Sequence, residues 1–365
     1  MIALIVFVIF TYFSLLWGTS EEVLNKTAED AIERFKYFPM LIIGVYLSNF
    51  TKEEIQRFLL LLAISPFGYM FLYYLNAFGL INIYSDHYMG YQELIGKEGI
   101  IFTKHLMWDF KVNVYIIFSL IYFYIKFLGK IKEKNYNKSF IYILLVVFIF
   151  ISLFVDSVTD SRLMDMVAVA IIVFVTYQFI TNKYKLPILI IISILVSSIV
   201  YNVQKDSFDE GFNELKDSFV ERNYHGSWGF RVGMLNVGYE ILEDSPYVGI
   251  GINSTKEAVD MIRKEQPELL KFHHNIHSFH NEHLLFLTQV GLLGYIVFLV
   301  FIFYFFSLKI QNKNMSILKN SIILMYLMLM VADYFISNKS LGNTFAAFIA
   351  LFTLYSVIEK DEKKV

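Results

Sequence analysis

Cysteine is absent from this chain, so disulfides, thiolate metal sites and a cysteine nucleophile are excluded. Net charge is nearly absent as well. A formal charge of -2 over 365 residues leaves no global basic field of the kind that gathers nucleic acid. The sequence contains no Walker-type phosphate loop, no dinucleotide G-x-G-x-x-G after a strand, and no Asp-rich metal motif of the nucleotide-sugar transferases. Neither a repeat of fixed period nor a low-complexity tract interrupts it. What it has in excess is apolar surface: 56% of residues are hydrophobic and 18% aromatic, with a mean hydropathy of +0.53. These residues fall in long runs rather than alternating with polar ones, which is membrane composition and not that of a soluble core.

A bilayer core about 30 Å thick takes roughly 20 apolar residues per helix. Ten spans are expected on that basis, near 1–17, 37–50, 58–82, 112–129, 139–156, 163–180, 186–203, 284–308, 319–337 and 342–358. The first run lacks a basic leader and a small-residue cleavage site, and reads as a retained span. The segments TKEEIQR, KIKEKNYNK, TNKYK, SLKIQNKNMSILK and EKDEKKV are rich in Lys and Arg. The alternate connections, around 18–36, 83–111, 157–162 and 338–341, are poorer in both. Positive-inside bias therefore puts the basic set and both termini in the cytoplasm. Residues 204–283 form a connection too long to be structureless, forced to the opposite side by its neighbours and expected to hold helices and a function. The expected fold is an all-α polytopic membrane protein, about ten transmembrane helices with one large, partly helical external loop. Its parts are 1–203, 204–283 and 284–365.

The densest chemistry lies in HSFHNEHLLFLTQVGLLGYIVFLV, where His280 and Asn281 precede nine residues, then Gly291, two more residues, Gly294 and Tyr295. An imidazole where an aqueous loop meets a span titrates near neutrality and can take a proton from a hydroxyl. The blander reading is a histidine that only caps the helix start. Gly291 and Gly294, three apart on a helix, share a face and would admit a neighbouring helix closely. His273, His274, His277, His280 and His283 crowd together, and His277, His280 and Glu282 or His283 could supply part of a zinc site. No short zinc pattern is complete, so no metal is assigned.

Three arginines stand beside this stretch. Arg162, in VDSVTDSRLMDMV, sits at the outer end of the sixth span, where a guanidinium can hold a diphosphate through paired charge-assisted bonds. Its alternative role is to pair with Asp160 or Asp165, or to reach lipid headgroups. Arg231, in GSWGFRVGMLNVGYEILEDSPYVGIGIN, is expected in the first turn of an amphipathic helix whose apolar face is Val232, Leu235, Val237 and Ile241, with a solvated charge as the alternative. Arg222, like Lys205 and Trp228, suits either a phosphate or sugar contact or plain surface. Gly249 and Gly251 read as a tight turn rather than an anion cradle. KEAVDMIRKEQPELLK reads as a partly buried helix through Val259, Ile262 and Leu270, its charges facing water, with no chemistry assigned.

The His280–Tyr295 spacing resembles the H-[NSQ]-x9-G-x-x-G-[GTY] pattern of bacterial O-antigen ligases, in the superfamily that also holds O-antigen polymerases and protein O-oligosaccharyltransferases. The order of large loop, histidine and following span is similar too. The resemblance covers the chain from the fifth span onward. It implies a multi-pass protein of the bacterial inner membrane with its site facing the periplasm. The implied donor is a glycan on undecaprenyl diphosphate, and the implied acceptor is lipid A-core. It further implies His280 as the general base, Arg162 and Arg231 on the diphosphate, and Asn281, His283 and Arg222 as possible substrate contacts. The transfer would be inverting, without metal or cofactor and without a nucleic-acid partner. A polymerase or protein-glycosylating relative is the near alternative, although the paired R-x10-G loops of some polymerases are absent after Arg162 and Arg231. A transporter is the alternative from another class, disfavoured because the polar groups cluster around one loop rather than within the spans. A scaffold that uses the loop to bind a partner is a third.

Overall fold

In the computed structural model the described residues are 44–45, 49–77, 106–154, 162–180, 185–203, 205–251, 255–265, 279–331 and 339–363. The expected span near 1–17 and most of that near 37–50, the connection 18–36 and most of 83–111, and Leu270, His273, His274 and His277 lie outside them. The described residues form helices and no strand. Among them Asn113–Lys132, Tyr136–Leu153, Glu282–Ser307 and Leu341–Asp361 are long and apolar enough to cross a membrane, and Leu163–Phe179 and Pro187–Asn202 are shorter apolar helices. The chain divides into two compact units, one formed by Lys52–Val203 and the other containing Gln204–Val365.

The first unit holds α1 (Lys52–Ala77), α2 (Leu106–Lys132), α3 (Tyr136–Phe154), α4 (Arg162–Phe179) and α5 (Lys185–Val203). Helix α2 is its hub: it packs on α1, α3 and α4, and Val114, Ile117, Phe118, Leu120 and Ile121 are fully buried. Phe67 of α1 stacks on Phe148 of α3 and meets Phe123 of α2 edge-on, and Ser119 Oγ donates to Ala63 O at 2.7 Å. Helix α1 runs through Pro66, whose missing N–H would have reached Leu62 O; the hydroxyl of Ser65 donates there instead, at 2.8 Å. Phe140, Ile141, Leu144, Val147 and Ile151 leave a continuous apolar stripe of α3 exposed, as a lipid-facing surface requires.

The Tyr124 hydroxyl and Thr176 Oγ1, 2.7 Å apart, set the register between α2 and α4. Asn113 and Asp165 each lie eleven residues, about three turns, N-terminal to one member of that pair, so they come level on the same faces of the two helices. Both are buried, at 1% and 0% exposure, and the amide of Asn113 has no hydrogen-bond partner among the described residues.

The second unit holds α6 (Lys205–Val220), α7 (Gly226–Asp244), α8 (Thr255–Glu265), α9 (Glu282–Ser307), α10 (Lys313–Leu329) and α11 (Lys339–Asp361). The ends of α9 and α10 are closed by side chains from elsewhere. Lys319, 1% exposed, donates from Nζ to Phe305 O, Phe306 O and Leu308 O at 3.0, 2.7 and 2.6 Å, covering the free carbonyls of α9. Glu359 of α11 accepts from Gln311 N at 2.6 Å and Asn312 N at 3.1 Å at the start of α10. The span expected near 319–337 is therefore displaced toward the N-terminus. Its helix begins at Lys313 because Asn312 caps it, accepting from Met315 N at 3.2 Å, and Lys319 lies within it rather than at its edge.

Candidate active site

The connection 205–281 is largely helical, and its first two helices are locked by one carboxylate. His225 is the N-cap of α7 but makes no side-chain cap bond. Glu214 of α6 supplies it instead: 5% exposed, its carboxylate accepts the Trp228 N–H at 2.8 Å, where the positive end of the helix dipole favours an anion. Gly226 (φ 68) passes so close that a Cβ there would collide with that carboxylate. Arg222 lies in the turn before it, exposed and left-handed (φ 53) as it ends α6.

The buried stripe of α7 is Gly229, Val232, Gly233, Met234, Val237, Gly238 and Ile241. Leu235, expected on that face, is 46% exposed, because the helix rotates its glycines inward instead. Gly238 admits the side chain of Leu284, and Gly233 the ring of Tyr224. Met234, Val237 and Ile241 then join Ala258 and Val259 of α8 with Phe279, Leu284 and Leu285 in one core, against which Phe230, Ile250 and Ile262 pack. Val259 and Ile262 thus face inward as their spacing suggested.

The loop 246–251 enters helix α9. At Gly291 the backbone leaves the helix (φ 64, ψ -174), and the bonds that a continuous helix would make across that point are exchanged for bonds to the loop. Thr288 O accepts from Ile250 N at 2.8 Å and Gln289 O from Gly251 N at 2.9 Å, while Leu292 N donates to Pro246 O at 2.9 Å and Leu293 N to Tyr247 O at 3.1 Å. Two helical bonds become four. A Cβ on Gly249 (φ 70) would lie 2.6 Å from Gln289 O, and one on Gly291 would fall on the Tyr247 carbonyl. Gly249 and Gly251 form the tight turn expected of them, and their N–H groups are spent on Ser245 O and Gln289 O. The role expected for Gly291 is corrected: it admits a loop backbone at a helix break, not a neighbouring helix.

His280 stands just before α9 with a left-handed backbone (φ 45). Asn281 is the N-cap, its side chain accepting from Leu284 N at 2.9 Å, so the reading of His280 as a mere helix cap fails. The His280 ring is half-buried and lies edge-on to Phe230 of α7, centroids 5.4 Å apart. Arg231 follows Phe230, half-buried, with Nη1 donating to Ser227 O at 2.7 Å. Since α7 starts at Gly226, Arg231 lies in its second turn rather than its first. His283 turns the other way. Its Nε2 donates to Leu327 O of α10 at 3.0 Å, a carbonyl that can only accept, so in the neutral ring Nδ1 accepts from the Tyr295 hydroxyl, also at 3.0 Å. Both ring nitrogens of His283 are engaged within the protein, and so is the last residue of the motif. Glu282 is fully buried beside them, its N–H donating to Met330 O at 2.8 Å.

Arg162 is the first residue of α4, in the other compact unit, and Asp165 is buried three residues further along that helix. Among the described residues no three His, Cys, Asp or Glu side chains gather as metal ligands would. One residue was passed over in the sequence. Arg263 of α8 is part-buried, its Nη1 donating to Asp260 at 2.8 Å, while Nε and Nη2 are buried without a hydrogen-bond partner among the described residues. Its i+4 spacing from the core residue Val259 was the signal available.

No curated protein matches the chain. A family model described as O-antigen ligase matches residues 144–299, a segment that contains Arg162, Arg231, the inserted loop, His280 and the helix break. Over that segment, which is less than half of the chain, this membrane protein is similar to the O-antigen ligase/polymerase superfamily.

Proposed function

We propose that the protein is an O-antigen ligase, transferring a glycan from undecaprenyl diphosphate to lipid A-core on the periplasmic face of a bacterial inner membrane. The observation that carries this reading is the placement of His280. Asn281 and not His280 caps α9, the His280 backbone is left-handed, and its ring lies edge-on to Phe230, the sequence neighbour of Arg231. An imidazole held in that way is suited to general-base work.

His280 takes the proton of an acceptor hydroxyl. The acceptor oxygen bonds to the anomeric carbon from the face opposite the leaving group, and the bond from that carbon to the diphosphate oxygen breaks, its electron pair leaving with undecaprenyl diphosphate. Configuration inverts. Arg231 offsets the charge that develops on the departing diphosphate; Arg162 is a diphosphate candidate from its sequence position alone. The glycosyl diphosphate bond supplies the driving force, so no nucleotide is required. Of the remaining groups, Asn281 and the exposed Arg222 are candidates for sugar contacts.

The test is transfer from undecaprenyl diphosphate glycan to purified lipid A-core in EDTA, by the unaltered protein, His280→Ala and Arg231→Ala. Transfer that survives the chelator and is lost in folded variants supports the reading. Elongation of lipid-linked repeats in place of transfer to lipid A-core makes the protein a polymerase. Full transfer by His280→Ala removes the histidine from the chemistry.

A further inference from the structure

Arg263 has no assigned role in the reading above, yet its surroundings are unusual for a surface charge. A guanidinium stays ionised at any relevant pH and carries five N–H donors in a fixed plane. Here Asp260 takes one nitrogen, Nη1, at 2.8 Å. The other two, Nε and Nη2, are shielded from solvent and meet no acceptor among the described residues. Nε and Nη2 form one edge of the guanidinium, and their parallel N–H bonds match two oxygens of a single phosphate or carboxylate. The side chain is 35% exposed, yet this edge of it is shielded and unpaired among the described residues, an arrangement that buried donors ordinarily avoid.

Its location gives the fork a purpose. Arg263 lies one helical turn beyond Val259, on the same side of α8. Val259 is fully buried in the core that also contains Phe279, the residue before His280, and against which Phe230 packs. Helix α8 therefore sets Arg263 at the border of the core that includes Phe279 and packs Phe230, the sequence neighbours of His280 and Arg231.

We propose that Arg263 is a further oxyanion-binding residue of this site, its Nε–Nη2 edge receiving two oxygens of a phosphate group of the lipid diphosphate. The assignment to the diphosphate rests on the glycan-transfer reading; the anion site itself does not. Asp260 has a distinct part: it orients the guanidinium while partly offsetting its charge, which weakens anion binding and favours release of the diphosphate product.

The experiment uses the full chain in detergent micelles, titrated with inorganic pyrophosphate at constant ionic strength and followed by the thermal unfolding midpoint. Unaltered protein, Arg263→Gln, Arg263→Lys and Asp260→Asn are compared. Expected are saturable stabilisation of the unaltered protein and an apparent Kd raised about tenfold or more in Arg263→Gln, the loss of one charge-assisted pair. Arg263→Lys, which keeps the charge without the fork, falls between them. Asp260→Asn binds pyrophosphate more tightly, an outcome that a merely structural Arg–Asp pair does not produce. Pyrophosphate binding by Arg263→Gln equal to that of the unaltered protein overturns the proposal, as does an unaltered protein that pyrophosphate does not stabilise. Should Arg263→Gln not fold, Arg263→Lys and Asp260→Asn decide it by the same two readouts.

The two readings fail separately. Glycan transfer that requires His280, with an unchanged donor KM in Arg263→Gln, sinks only the arginine. Arg263-dependent pyrophosphate binding in a protein that transfers no glycan sinks only the ligase.

Discussion

The two compact units solve the same problem, covering backbone polar groups in apolar surroundings, by opposite means. In α1 the carbonyl freed by Pro66 is repaired from within, by the hydroxyl of the preceding serine. In α9 the break at Gly291 is repaired from outside, by a loop distant in sequence that inserts its own backbone. The first repair is local, although Ser119 of α2 also donates to Ala63 O beside it. The second makes a helix and a loop one object, and His280, Asn281 and the core around Phe279 are assembled on it. Irregular backbone is tolerated at such depth only where protein covers it, and here the cover belongs to the candidate site.

Glycine substitutions break this comparison most sharply. Gly291→Ala sets a Cβ against the Tyr247 carbonyl at a left-handed position, and Gly249→Ala does the same against Gln289 O. Each is expected to destabilise by about 3 kcal/mol or more and to abolish glycan transfer, combining a steric clash with strained backbone; thermal unfolding in detergent and the transfer assay measure both. Retention of a normal midpoint by Gly291→Ala would show that the loop is not locked into the helix. His280→Ala should leave that midpoint unchanged within about 0.5 kcal/mol while lowering kcat by roughly two to four orders of magnitude, as loss of a general base does. Asn281→Ala removes the cap of α9 and is expected to cost about 1 kcal/mol, with a matching fall in the unfolding midpoint. Tyr295→Phe deletes the hydroxyl on His283 and should cost a similar amount or less, about 0.5–1.5 kcal/mol, without the loss of rate that His280→Ala shows. In the other unit Gly68, exposed on α1 with open space where a Cβ would go, should tolerate alanine, gaining about 0.5–1 kcal/mol. A destabilised Gly68→Ala would overturn the contrast from its other side.

Hydropathy made the helices of the first unit legible because they are regular: α2 to α5 fall within a few residues of the runs expected near 112–129, 139–156, 163–180 and 186–203, apart from the early start of α2. The histidine was legible from its spacing to Gly291, Gly294 and Tyr295, and the family match covers it. What that spacing concealed was why the glycine is there. An apolar run continues through the break unchanged, so periodicity reports one helix, and only the coincidence of Gly249, Gly251 and Gly291 hints that two stretches of backbone meet. Leu235 was misplaced for a related reason. Hydrophobicity favours it for the buried face of α7, whereas close packing on Tyr224 and Leu284 selects glycines. Arg263 had only its i+4 spacing from Val259 as a signal, because charges on an amphipathic helix are assumed to face water, and its partial burial depends on the core that α8 joins.

The broken helix also bears on how the protein is made. A helix long and apolar enough to cross a bilayer usually satisfies its own backbone, and so can enter the membrane as an independent unit. Glu282–Ser307 cannot, because Thr288 O, Gln289 O, Leu292 N and Leu293 N depend on residues 246–251. Those residues leave the ribosome first, so the loop is available before its partner helix emerges. Insertion of this helix is therefore coupled to the correct assembly of the site, and a chain whose loop fails to dock presents uncovered backbone that membrane quality control can detect.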